Sequence, residues 1–141
     1  MVQRVNSQSL LPVILLGFKE TGFNMVLYTA VVIDTKQVID RFGQQHENLY
    51  SHHSTIEFKP SSIEGLEIGK VVNMPILGRL TTDKVDVLWV DNPYSKNEYP
   101  HITLSTAEGV KPFESNSELK KYIDQVKPVT GSIKGVIQAI K

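Results

Sequence analysis

Apolar residues in this chain fall mostly at alternate positions or in short unbroken runs, and only in two places at the three-to-four spacing of a helix. Leu10 to Phe18 reads as a strand, with Thr21-Gly22 as a turn, and Met25 to Ile33 is rich in β-branched residues and reads as a central strand. Val38, Ile39 and Phe42 share one face of a short helix over 35–42, which Gly43 stops. His53 to Phe58 alternates again and ends at Pro60. Two β-rich runs, Gly69 to Leu80 and Lys84 to Val90, flank Thr81-Thr82-Asp83 and predict a long hairpin with Trp89 as a core anchor. A polar loop over 92–98 feeds a strand at 101–105. Ser115 and Glu118 have the spacing of a capping box, opening a helix with Leu119, Tyr122 and Ile123 on its apolar face. Val129 to Ile140 supplies a closing strand. Long antiparallel strands with two short helices predict an α+β fold.

At 141 residues one domain over 1–141 is expected, with a core large enough to need neither metal nor disulfide. Cysteine is absent, which excludes a thiolate nucleophile and a cysteine-type zinc site and fits an intracellular, cytoplasmic location. The run Leu10 to Leu16 is too short to span a bilayer and lacks the flanks of a signal peptide, so no membrane association is expected. Acids and bases balance at 15 each, so no basic field is available to hold long duplex nucleic acid. A small phosphorylated ligand gripped by a few local groups is compatible with that balance.

The candidate chemistry lies in a repeated tetrapeptide, His53-Ser54-Thr55-Ile56 and His101-Ile102-Thr103-Leu104. In a strand, alternation puts His53 and Thr55 on one face, with Ile56 and Phe58 on the other. His101, Thr103 and Ser105 likewise share a face, backed by Ile102 and Leu104. Taking His52 in place of His53 would turn Ile56 and Phe58 into the cleft, so His53 is the functional residue and His52 a neighbour on the opposite face. His46 reads as a solvated loop residue. Two such strands side by side present two imidazoles and two hydroxyls to one cleft. Imidazole ionises near neutral pH and can serve as general acid or general base.

These motifs resemble the signature of the 2H phosphoesterase superfamily, in which two His-x-Thr/Ser-x-apolar tetrapeptides lie on the central strands of a two-lobed sheet. The resemblance is strongest over Tyr28 to Asp34, His52 to Phe58 and Tyr99 to Ser105, and the last stretch is similar to cyclic phosphodiesterase domains that accompany RNA ligases. It implies a single two-lobed domain with a concave antiparallel sheet, His53 and His101 as the catalytic pair, and Thr55 and Thr103 as phosphate-binding hydroxyls. It further implies His101 as base and His53 as acid. No cofactor or metal is expected. Tyr28, Tyr50, Tyr99 and Lys111 are further candidates for substrate binding, with Lys59 and Arg79 as weaker phosphate ligands and Glu57 as a group that orients an imidazole.

The expected activity is metal-independent hydrolysis of a nucleotide or RNA-terminal 2′,3′-cyclic phosphate, or of a related 2′-linked phosphodiester. A second use of the same chemistry is degradation of a cyclic dinucleotide or 2′-5′ oligoadenylate signal, as in some viral members, which would place the protein in a host cytoplasm. A reading from another class is a nucleotide-binding module without chemistry. The partner is a small nucleotide or an RNA end.

Overall fold

The computed structural model describes residues 26–141. The strand expected over Leu10 to Phe18 and the Thr21-Gly22 turn lie outside the described residues. From there the chain runs β1 (Tyr28–Val32), α1 (Thr35–Phe42), β2 (Asn48–Leu49), β3 (His53–Phe58), β4 (Val71–Thr81), β5 (Val85–Val90), β6 (His101–Thr106), α2 (Glu114–Tyr122), a 3-10 turn (Ile123–Gln125) and β7 (Ser132–Ile140). The fold is α+β: the described residues form one seven-stranded antiparallel sheet, in the order β2-β6-β5-β4-β7-β1-β3, with two short helices. No described helix is long and apolar enough to cross a membrane.

β4 joins two halves. Its first residues, Val71 to Pro75, pair with β7, and its later residues, Ile76 to Thr81, pair with β5. Pro75, which has no N–H to donate, sits where the pairing changes hands, a position that spares the ladder the missing donor. In a flat sheet β6 and β3 would be roughly 24 Å apart, five strand spacings. They are instead in contact, so the sheet is curled and its ends approach one another. The chain entering β3 runs along β6, with Tyr50 N–H donating to Leu104 O and Ser51 N–H to Thr103 O, each at 2.9 Å. The loop after β5 adds Asn92 Nδ2 to Ser54 Oγ (3.1 Å), Ser95 Oγ to Thr55 O (2.9 Å) and Lys96 N to Ile56 O (2.8 Å).

The main core fills the inside of this curl. Val31, Ile56, Val72, Met74, Leu88, Ile102, Leu104 and Ile137 meet there with Val38 of α1. A smaller cluster of Leu80, Val85, Val87 and Leu119 lies under α2, with Trp89, Tyr99 and Tyr122 at its margin. Alternation along β3 and β6 therefore sends Ile56, Ile102 and Leu104 inward and leaves the two His-x-Thr sets on the opposite side of the sheet.

Two strand expectations fail for the same reason. Phe58 is 62% exposed rather than packed beside Ile56. A register shift opposite Thr29/Ala30 pairs Phe58 with Tyr28, and a one-residue slip moves a side chain to the other face. A second shift, between Asp86 and Val87, occurs where β6 reaches Ser105. Ser105 is fully buried, and its Oγ accepts from His46 N–H (3.2 Å) instead of facing a cleft.

α1 has the predicted bounds, capped by Asp34 Oδ1 accepting from Lys36 N–H (3.1 Å) and closed by Gly43 at φ 72°. α2 does not begin as the capping-box spacing predicts. The helix starts two residues earlier, at Glu114 with Phe113 as its N-cap, and Ser115 and Glu118 turn inward to other tasks. The Glu118 carboxylate is buried and accepts from Thr82 Oγ1 (2.9 Å).

Candidate active site

β6 fixes His101 through the backbone just before it. Its Nδ1 lies 2.8 Å from Tyr99 O, and a carbonyl oxygen can only accept, so Nδ1 carries the proton and neutral His101 keeps its lone pair on Nε2. That Nε2 has no hydrogen-bond partner among the described residues. The residue is 8% exposed, and burial pushes its pKa below the usual histidine range, against the opposing pull of the Tyr99 carbonyl.

His53 opens β3 on the same side of the sheet. Its Nε2 is 3.1 Å from Thr55 Oγ1, its own motif partner two residues on. Burial first, then repulsion from the imidazoles of His52 and His101, pushes its pKa down to about 3. That His101 acts on this ring places the two motif histidines within electrostatic reach of one another. Near neutral pH both rings are uncharged in the free protein.

β3 and β6 are in contact, so the two motifs lie on neighbouring strands, although their hydroxyls are not equivalent. Thr55 is half-buried, and among the described residues its hydroxyl hydrogen-bonds only to His53. Thr103 is 9% exposed, and its Oγ1 lies 2.8 Å from Ser115 Oγ, with Pro112 O at 3.5 Å. Ser115 is fully buried in the first turn of α2 and is a site residue that sequence reasoning missed. No strand alternation or motif spacing links it to Thr103, because the contact is made by docking a helix onto the sheet.

His52 departs from expectation. It precedes the strand, and Ser51 before it has a left-handed backbone (φ 53°), so alternation does not govern its side chain. Its ring does not lie on the opposite face but stacks on His53, with centroids 4.7 Å apart, planes at 22° and the two Nδ1 atoms separated by 2.7 Å. Tyr50 meets the outer side of His52 edge-on at 6.0 Å. His52 is exposed, and the partial desolvation of its ring lowers its pKa.

Of the other candidates, Tyr28 leans on His53 with ring centroids 5.0 Å apart, and burial raises the pKa of its phenol. The Tyr99 ring packs edge-on against Trp89 beside the small cluster, so its contribution to the site is the carbonyl that holds His101. Lys111 is exposed one residue before Pro112, whose carbonyl approaches Thr103. Lys59 is exposed over the Phe58 ring, 5.4 Å from its centroid.

Arg79 is not a free cation. Its guanidinium makes two bonds to buried Asp86 (2.9 and 2.7 Å) and one to Phe42 O (2.9 Å). Glu57 does not orient an imidazole: its side chain makes no hydrogen bond among the described residues, and the charges acting on His53 are those of His52 and His101. His46 is a partly exposed loop residue, as expected, and its Nε2 also lies 2.8 Å from Thr82 O. Trp89 pairs in register with His101 and is partly exposed, so it borders the site as well as the small cluster.

The arrangement offers one imidazole with a fixed lone pair, a second whose Nε2 shares the Thr55 hydroxyl, and a Thr103 hydroxyl on the strand of the first that is engaged with Ser115. Among the described residues no group of three or more His, Asp or Glu converges as a metal ion requires. Compared with protein-family models and with curated proteins, the chain matches none.

Proposed function

We propose that this protein is a phosphodiesterase of the 2H phosphoesterase type. In this reading it hydrolyses a nucleotide or RNA-terminal 2′,3′-cyclic phosphate, or a related 2′-linked phosphodiester, by general acid-base catalysis between two histidines without a metal. The observation that carries the reading is the His101 Nδ1–H···O=C bond to Tyr99, which leaves a lone pair on Nε2 on the side of the sheet where His53 and Thr55 stand. His101 Nε2 takes a proton from water as the water oxygen attacks phosphorus. The P–O3′ bond breaks, His53 Nε2 delivers a proton to the departing oxygen, and a 2′-phosphate remains. Thr55 and Thr103 donate to the nonbridging oxygens without adding net charge.

His53 must hold a proton to act as the acid, yet burial and its neighbours keep the free ring neutral. A bound phosphodiester carries the negative charge that offsets this cost, so the acid is armed on binding.

The test is turnover of nucleoside 2′,3′-cyclic phosphates, a cyclic dinucleotide and a 2′-5′ oligoadenylate by the purified protein, with and without EDTA, with the product isomer read by phosphorus NMR. Cleavage that survives EDTA and gives a 2′-phosphate is expected. Cleavage of the cyclic dinucleotide or oligoadenylate alone would assign the same chemistry to signal degradation. Binding without turnover of any of them would leave a nucleotide-binding module and end the enzymatic reading.

A further inference from the structure

We infer that His52 is a positioning residue for this chemistry: its Nδ1–H donates to His53 Nδ1, which fixes the His53 proton on Nε2, and the stacked pair holds the leaving-group proton as one unit. The inference rests on the reading of His53 as the acid and adds a residue that the paired motif does not contain.

The geometry is specific. Two Nδ1 atoms at 2.7 Å with near-parallel rings require one nitrogen to carry hydrogen and the other a lone pair. If His53 were the donor, its Nε2 would hold a lone pair, Thr55 would spend its own proton on it, and neither motif imidazole would present an N–H. With His52 as donor, His53 Nε2–H donates to Thr55 Oγ1, and the Thr55 hydroxyl remains free to donate onward. His53 and His101 then have opposite tautomers, one Nε2–H donor and one Nε2 acceptor. A carboxylate often performs this orienting task for a histidine. Among the described residues no carboxylate acts on His53, and a second imidazole occupies the position.

The proton count closes. With an anion bound, the pair carries one extra proton, so that both Nε2 atoms bear hydrogen and one more proton lies between the Nδ1 atoms. When His53 Nε2–H passes to the departing oxygen, the bridging proton settles on His53 Nδ1, and both rings are left neutral. A second added proton is opposed by repulsion between the rings. The other titratable groups facing the pair are His101 from β6, Tyr28 from β1 and Tyr50 from the segment leading into β3.

Nitrogen-15 NMR of histidine-labelled protein tests this directly, on the wild type, His52→Phe and His52→Asn, each checked for an unchanged far-UV spectrum. The phenyl ring keeps the stacking without the hydrogen bond, whereas the amide N–H keeps a donor near the position of Nδ1. In the wild type, His53 should be the Nε2–H tautomer, and saturation with 2′-AMP at pH 7 should add one proton to the pair. In His52→Phe the tautomers of His53 should mix, and kcat on the substrate cleaved by the wild type should fall about tenfold, with KM changed less than twofold. His52→Asn should restore the Nε2–H tautomer. An Nδ1–H tautomer of His53 in the wild type, or an unaltered tautomer in His52→Phe, would overturn the inference. These spectra need no turnover, so an inactive wild type would refute the phosphodiesterase reading and leave this result to be read separately.

Discussion

Histidines kept neutral by desolvation make the fold sensitive to mild acid, and His53→Gln isolates the share of one that is half-buried. Glutamine keeps a polar group near Nε2 for Thr55 but cannot ionise. In the unfolded chain His53 binds a proton as pH falls through about 6.5; in the folded chain it does so only near about 3. Between those values the unfolded state binds more protons, so stability falls with falling pH, at up to about 1.4 kcal/mol per pH unit for this one group. From pH 6 to pH 4.5 the loss from His53 is about 2 kcal/mol, and for a chain of this size that moves the urea midpoint by about 1 M. Carboxylates titrate in the same interval, so the informative quantity is the difference between wild type and His53→Gln in unfolding free energy, measured by urea titration at several pH values. The variant should gain about 2 kcal/mol on the wild type over that interval. Parallel curves would show that His53 ionises as readily folded as unfolded, which would refute the burial and repulsion assigned to it.

In the substrate panel, His53→Ala and His101→Ala should each lower turnover by about a hundredfold or more, and the double variant should lose far less than the product, because the two act as one unit. Ser115→Ala releases the Thr103 hydroxyl from its buried partner and should change kcat by roughly tenfold or less, a scale set by one neutral hydrogen bond. Arg79→Met strands the fully buried Asp86 with Thr81 as its remaining side-chain donor and should cost about 3 to 5 kcal/mol by urea titration. A loss under about 1 kcal/mol would mean that the Asp86 carboxylate is not held charged there.

Much of the fold is legible in the residues because alternation and turn chemistry act locally. The β4–β5 hairpin, α1, and the strands bearing His53 and His101 follow from period and punctuation alone. What escapes is set by register and by docking. Phe58 changes face because of a bulge that no local pattern announces, and the His52 ring swings beside His53 because Ser51 adopts a left-handed turn. β3 begins at His53 and Ile56 enters the core as the apolar register expects, but Phe58 does not follow that register, and the same rule misplaces His52, since alternation ends where the strand does. Arg79 and Ser115 are assigned only once Asp86 and Thr103 are brought to them by the sheet and by α2.

The contact between β3 and β6 works as a clasp. Elsewhere around the curl from β6 to β3, neighbouring strands are joined by ladders of five residue pairs each, but here the link is two backbone bonds from Tyr50 and Ser51 and a few contacts from the 92–96 loop. These bonds extend the two-residue β2–β6 ladder and are fewer than those of the β1–β7 ladder, so amide hydrogens such as that of Ser51 should exchange before those of β7. Both histidines stand at the clasp. A ligand reaching from one to the other therefore fastens the ring shut, and slower exchange at Ser51 reports its binding even when no bond is cut.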